Sequence, residues 1–198
     1  IKYELFMIKV GLFGFGRIGR AITRLIFDNN DIKLKFICDE NPSFENIAYL
    51  LQYDSTYGKF KYDVSLKLNN LLINDGQINL YKKSDLEKIN FNEVDFIIDA
   101  TGSIVLNKKL RLLLDGLDTK LIQTNSPNDG TKKIIMGVNE KELLKTDKFI
   151  ASSICDANAC ATVLAAMNNI DNIESGSITT LHPWLGYQNT LDGPSKMF

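Results

Sequence analysis

Histidine and cysteine are scarce in this chain. Of its 198 residues one is histidine, His182, and three are cysteine: Cys38, Cys155 and Cys160. An odd cysteine count without a Cys-x-x-Cys pair argues against a disulfide framework, and one histidine leaves too few ligands for a zinc site. No metal is expected, and the reducing cytoplasm is the natural setting. Apolar runs are short, well under the ~20 residues a membrane helix needs, so no membrane partner is expected. Neither sign of charge dominates, with Lys+Arg 23 against Asp+Glu 24. That balance gives no footprint for nucleic acid. Internal repeats and low-complexity segments are missing too. The remainder, 44% hydrophobic and 24% charged, describes a globular protein of one or two domains with a real core.

Within that frame the glycines carry the first signal. Lys9-Val-Gly-Leu-Phe13 reads as a buried strand, Gly14-Phe-Gly16-Arg-Ile-Gly19 as a turn, and Arg20 to Phe27 as a helix. Strand, glycine turn and helix are the context of a dinucleotide fingerprint. Gly14 serves the tight turn, Gly16 lets a pyrophosphate approach the backbone, and Gly19 lets helix and strand pack closely. A second strand, Leu34 to Ile37, ends at Asp39, 20 residues beyond Gly19. A carboxylate there accepts hydrogen bonds from the adenosine ribose and repels a 2′-phosphate, which favours NAD over NADP. Glu40, beside it, is an alternative for the same part.

Ser43 is placed to cap a helix running through Leu51. Val64 to Tyr81 holds short strand-like pieces with hairpin turns at Asn69-Asn70 and Asp75-Gly76. Asp95 to Asp99 is a further buried strand, ending in the small-residue turn Ala100-Thr101-Gly102, with Asp99 capping that turn. A helix follows over Leu106 to Leu114. Leu121 to Thr124 and Lys133 to Met136 read as strands. The alternation predicts an α/β fold, a doubly wound Rossmann-type domain with a mostly parallel sheet.

Phe149 and Ile150 end another strand, and a helix runs from Ala159 to Met167. Cys155 therefore falls on a strand-to-helix turn, where helical N–H groups favour a thiolate. His182 follows 27 residues later, beyond a strand expected over Ile173 to Leu181. A cysteine nucleophile with a histidine base is the chemistry this pairing suggests. Cys160 is expected in the helix interior, and Cys38 beside the ribose. The expected division is a nucleotide-binding domain over residues 7–154 and an incomplete beginning of an α+β domain over 155–198. Ile1 to Phe6 reads as an expression remnant or an upstream extension ahead of Met7.

Taken jointly, these segments resemble the glyceraldehyde-3-phosphate dehydrogenase family, in the family's order from about Met7 onward. They are Gly14-Phe-Gly-Arg-Ile-Gly-Arg20, Tyr53-Asp-Ser-Thr-Tyr-Gly58, Ala100-Thr-Gly102 and Met136-Gly-Val-Asn139. Cys155 with Asn158, and His182 followed by Leu191-Asp-Gly-Pro-Ser195, complete the set. The resemblance implies NAD-dependent oxidation of an aldehyde in glycolysis, with Cys155 as nucleophile and His182 as base. It implies that Arg17 and Ile18 line the pyrophosphate, that Asp39 holds the ribose, and that Thr101, Gly102 and Thr124 lie along the cofactor. It also implies a homotetramer, and a chain longer than this one, so that these residues alone are expected to bind NAD but turn over poorly.

The chain departs from the family where phosphate is handled. Ile154 and Asp156 flank Cys155 where small hydroxyl residues are usual, and a carboxylate there repels phosphate and opposes thiolate formation. Pro183-Trp184-Leu185 replaces Ala-Tyr-Thr after the histidine, and Tyr187 replaces a smaller polar residue. Phe13 stands in place of an asparagine, Cys38 in place of another polar residue, and Ala159 in place of the second family cysteine. Three readings follow: the parent dehydrogenase, a paralogue oxidising another aldehyde, phosphorylated or not, and an NAD-binding protein retired from catalysis.

Overall fold

The computed structural model describes residues 7–41, 43–74 and 76–181. β1 (Ile8–Phe13) leads into α1 (Arg17–Phe27) and β2 (Ile32–Asp39). α2 (Phe44–Gln52) follows, capped by Ser43, whose side chain accepts the N–H of Asn46. A two-stranded ribbon, β3 (Tyr53–Asp54) with β4 (Gly58–Lys59), precedes the meander β5 (Val64–Lys67), β6 (Asn70–Ile73) and β7 (Gly76–Lys82). Two short 3-10 helices lead to β8 (Phe96–Asp99), α3 (Ile104–Leu113) and β9 (Lys120–Gln123). β10 (Lys132–Lys133), a 3-10 turn (Glu140–Glu142), β11 (Phe149–Ala151) and α4 (Cys155–Asn168) complete the elements of the described residues.

Nine strands form one sheet in the order β10-β11-β9-β8-β1-β2-β7-β6-β5. Every pairing from β10 to β7 is parallel, and the β5-β6-β7 meander adds the antiparallel edge. Both faces are covered. One core gathers Leu12, Ile26, Leu34, Ile37, Ile47 and Leu51 beneath α1 and α2. The other gathers Phe13, Phe36, Cys38, Leu106, Leu110 and Leu121 beneath α3. This is the doubly wound arrangement, an α/β fold of Rossmann type.

A bulge in β2 decides which side chain faces which core. Val10 pairs with Leu34 but Gly11 pairs with Phe36, so Lys35 is the extra residue. Leu34 and Ile37 therefore share one face while Phe36 and Cys38 share the other. Phe36 packs its ring against Gly11, where an added Cβ would sit 2.2 Å from the ring.

Several expectations are corrected. The first hairpin turns at Leu68-Asn69, because Asn70 pairs with Lys67, and Leu68 takes the left-handed φ of +55°. Asn74 takes +49° in the second turn, where Asp75 lies outside the described residues. The strand expected over Lys133 to Met136 shrinks to Lys132–Lys133, because after Ile134 bonds to Ala151 the chain turns, Val138 and Asn139 both bonding back to Ile135. Residues 173–181 form no strand, since no partner strand among the described residues takes up their N–H and C=O groups. Cys160 is half-exposed, because nothing described covers α4 and none of its residues is buried.

Candidate functional site: the carboxyl edge of the sheet

Parallel strands point their carboxyl ends the same way. The segments after β1, β2, β8, β9 and β11 consequently lie along one edge, where ligands of open α/β sheets bind. The glycine turn follows β1. Gly14 has φ +88°, and an added Cβ would meet the Ala100 and Thr101 backbone at 2.8 Å. Gly14 N–H donates to the Cys38 carbonyl (2.9 Å), and Ala100 N–H donates to the Phe13 carbonyl (2.7 Å). The turns after β1 and β8 are thus pinned to each other. At Gly19 an added Cβ would fall 2.0 Å from the Gly14 carbonyl oxygen, so α1 can rest on the turn only with glycine there.

Gly16 differs, since nothing lies within 4 Å of an added Cβ. It is the N-cap of α1 and supplies no side-chain cap, and Arg17 and Ile18 behind it are exposed. An uncapped helix start with an open approach fits a pyrophosphate.

Asp39 ends β2 on the same edge of the sheet. Its Oδ2 accepts the Phe15 N–H (2.6 Å) and its Oδ1 accepts the Asn41 N–H (2.7 Å). Burial raises its pKa above the usual carboxylate value, against the pull of those two N–H groups and Arg20, with Glu40 adding to the rise. Each oxygen keeps a second lone pair, which fits two ribose hydroxyls. Glu40 is exposed and pairs with Lys83 at 3.4 Å. Geometry therefore favours Asp39 for the ribose.

Cys38, next to Asp39, is buried. The bulged β2 turns its thiol into the α3-side core, where burial, with Asp39 and Asp85 nearby, pushes it up to about 12. Phe13 is fully buried in the same core, edge-on to Phe36 and stacked on Phe91. These two departures from the family are packing residues.

After β8, Asp99 is buried and its Oδ1 accepts the backbone N–H (3.0 Å) and the hydroxyl (2.6 Å) of Thr101. This is the expected turn-capping role. Gly102 continues the turn at φ +67°, and Thr124, at the end of β9, donates its N–H to the Asp99 carbonyl.

Cys155 opens α4 after β11, on the strand-to-helix turn the sequence implies. Its Sγ is exposed and lies 3.6 Å from Asp156 Oδ1. Asn158 stiffens the turn, its Nδ2 donating to the Ser152 (2.7 Å) and Ile154 (2.8 Å) carbonyls. Ser153, buried between them, adopts φ +65°, a strained value for a residue with a Cβ. His182, Trp184, Leu185 and Tyr187 lie outside the described residues.

One participant escaped sequence reading. Arg111 on α3 joins Asn107, Gln123, Thr131 and Asp129. The only local trace of this is the Asn107/Arg111 pair at helical i, i+4 spacing.

A glycine turn pinned to two strand ends, an uncapped helix start and an acid at the end of the second strand define a dinucleotide-binding α/β domain. Comparison with known proteins makes this specific. Residues 8–107 match the family model described as the NAD-binding domain of glyceraldehyde 3-phosphate dehydrogenase. The chain is 33% identical over 190 residues to glyceraldehyde-3-phosphate dehydrogenase of Debaryomyces hansenii, covering 95% of this chain and 56% of that protein. It is 34% identical over 194 residues to that of Bacteroides fragilis, covering 96% and 58%. With glyceraldehyde-3-phosphate dehydrogenase 1 of Schizosaccharomyces pombe it shares 32% over 190 residues, covering 95% and 56%. The chain belongs to the glyceraldehyde-3-phosphate dehydrogenase family, and its amino-terminal half is an NAD-binding domain. It spans little more than half the length of these relatives.

Proposed function

We propose that this chain is the cofactor-binding part, with the beginning of the catalytic part, of an NAD-dependent aldehyde dehydrogenase of the glyceraldehyde-3-phosphate dehydrogenase type. The observation that carries it is the placement of Cys155 at the start of α4, on the same sheet edge as the glycine turn. In this reading Gly14, Gly16, Arg17, Ile18 and Gly19 receive the pyrophosphate, Asp39 the ribose, and Thr101, Gly102 and Thr124 the far half of NAD.

Cys155 Sγ attacks the aldehyde carbon. A C–S bond forms and the carbonyl π pair moves to oxygen, giving a thiohemiacetal after protonation. The N–H groups at the start of α4 face the developing oxyanion. His182 takes the hydroxyl proton as the C–H bond breaks, and a thioester is left on Cys155. Bound NAD supplies the hydride acceptor. Phosphate or water then attacks the thioester carbon and releases Cys155. The second domain beginning at residue 155, and assembly as a homotetramer, are parts of the same proposal.

A second reading concerns substrate. Asp156 sits 3.6 Å from the nucleophile, where its carboxylate repels an attacking phosphate, and this favours a thioester that water hydrolyses to the free acid. The test is NADH formation by the full-length protein from glyceraldehyde 3-phosphate, with and without inorganic phosphate. Turnover that needs phosphate and vanishes in Cys155→Ser is expected for the parent reaction. Turnover without phosphate, from that or other aldehydes, supports the second reading. An intact NAD-binding protein that turns over none of them overturns both.

A further inference from the structure

We propose that Arg111 is a positioning residue that fixes the nicotinamide half of the cofactor site without touching it; this rests on the assignment of Thr101, Gly102 and Thr124 to that half. The sheet order supplies the geography. Asp39 ends β2, the glycine turn ends β1, and β8 and β9 lie on the opposite side of β1 from β2. A dinucleotide with its adenosine ribose on Asp39 and its pyrophosphate on the glycine turn extends its second half toward the ends of β8 and β9.

Those two ends are tied by one polar chain. Thr101 gives both its N–H and its hydroxyl to Asp99, so that hydroxyl is turned inward. Asp99 Oδ2 accepts Asn107 Nδ2 (2.9 Å), and Asn107 Oδ1 accepts Arg111 Nε (2.8 Å). Arg111 Nη2 then donates to Gln123 Oε1 (3.2 Å) and to Thr131 Oγ1 (2.7 Å), and Asp129 completes the ion pair at 3.5 Å. The guanidinium lies over the Phe149 ring of β11, 5.0 Å from its centroid. One side chain therefore touches α3, the last residue of β9, the loop that follows Thr124, and the strand that leads to Cys155.

Gln123 shows that the arrangement is held against a local cost. It is buried, and its Nε2 has no partner among the described residues. Rotating the amide would set that NH2 group against the Arg111 guanidinium, donor to donor, so Arg111 dictates the orientation. Lysine could not replace this role, because only the planar fork reaches Asn107, Gln123 and Thr131 together.

The test compares NAD with ADP, which shares the adenosine and pyrophosphate but lacks the nicotinamide half. Calorimetric titration of Arg111→Met is expected to weaken NAD by roughly tenfold while leaving ADP within about twofold. A residue that only supports the fold would weaken both alike. Thr131→Val, which removes the shorter of Arg111's two ties to the loop and leaves the Asp129 pair, is expected to act in the same direction and supplies the comparison if Arg111→Met does not fold. Equal losses for the two ligands, or no loss for either, overturn the proposal. Gly16→Ala tests the cofactor placement separately: if it spares both ligands, the placement fails, whatever Arg111 does.

Discussion

Gly16 and Gly19 belong to one hexapeptide and meet opposite surroundings. Gly19 is boxed in by the Gly14 carbonyl at 2.0 Å from an added Cβ, whereas Gly16 has open space and an ordinary φ of −71°. The fold needs Gly19, whereas nothing in the fold itself crowds Gly16. Gly19→Ala is expected to lose at least about 2 kcal/mol in denaturant unfolding, because backbone must shift to admit the methyl group. Gly16→Ala is expected to melt within about 2 °C of the parent and to bind NAD weakly, because the methyl group fills the pyrophosphate's approach. A Gly16→Ala protein that binds NAD normally would remove the glycine turn from the site. The sequence pattern assigns both glycines; only the contacts separate their roles.

At the scale of elements, local chemistry decides where segments start and topology decides where they stop. Ser43 caps α2 as its hydroxyl and position imply, because capping needs only an acceptor three residues ahead of an N–H. Hairpin register is less local. The turn closes on Leu68-Asn69 because Lys67 and Asn70 must pair for Leu71 and Ile73 to reach the core. That register forces Leu68, 84% exposed, into the left-handed region. Leu68→Asn is expected to stabilise the chain by about 1 kcal/mol, since asparagine tolerates that conformation and no buried contact is lost. A thermal melt checks it, and a lower melting temperature would refute the register argument. The expected strand over 173–181 is not formed for the complementary reason, since among the described residues no strand lies beside it to pair with.

At the scale of the whole molecule, the buried Arg20–Asp54 ion pair ties α1 to β3. Arg20 is 1% exposed, and its Nε lies 3.2 Å from Asp54 Oδ2. Burial pushes the Asp54 carboxyl up, but the N–H groups of Tyr57 and Thr56 together with Arg20 outweigh it and hold the group below the usual 3.8. A depressed carboxylate contributes stability above its unfolded pKa and loses it as pH falls through the folded value. Stability is therefore expected to decline below about pH 4, and Asp54→Ala is expected to flatten part of that decline. At neutral pH the same variant should cost about 3–5 kcal/mol, because Arg20 is left buried and uncompensated. Urea unfolding at pH 7 and pH 3 measures both; an unchanged difference between the two would place the acid sensitivity elsewhere.

What the sequence determined by itself is whatever depends on neighbours in the chain: the glycine turn between strand and helix, the acid 20 residues on, the cap at Ser43 and the cysteine at the start of a helix. Each is a short pattern whose backbone geometry and hydrogen bonds close within a few residues. What only the tertiary structure decided depends on which strands adjoin and where one extra residue falls. The bulge at Lys35 turns Cys38 into the α3-side core, where Phe13 reaches it by the alternation of β1. Arg20 meets Asp54 across 34 residues, and Arg111 meets Thr131 across 20. Such meetings leave no local trace, because a charged or polar side chain has no periodicity that names its partner. The fold supplies the partner by bringing separate strand ends to one edge.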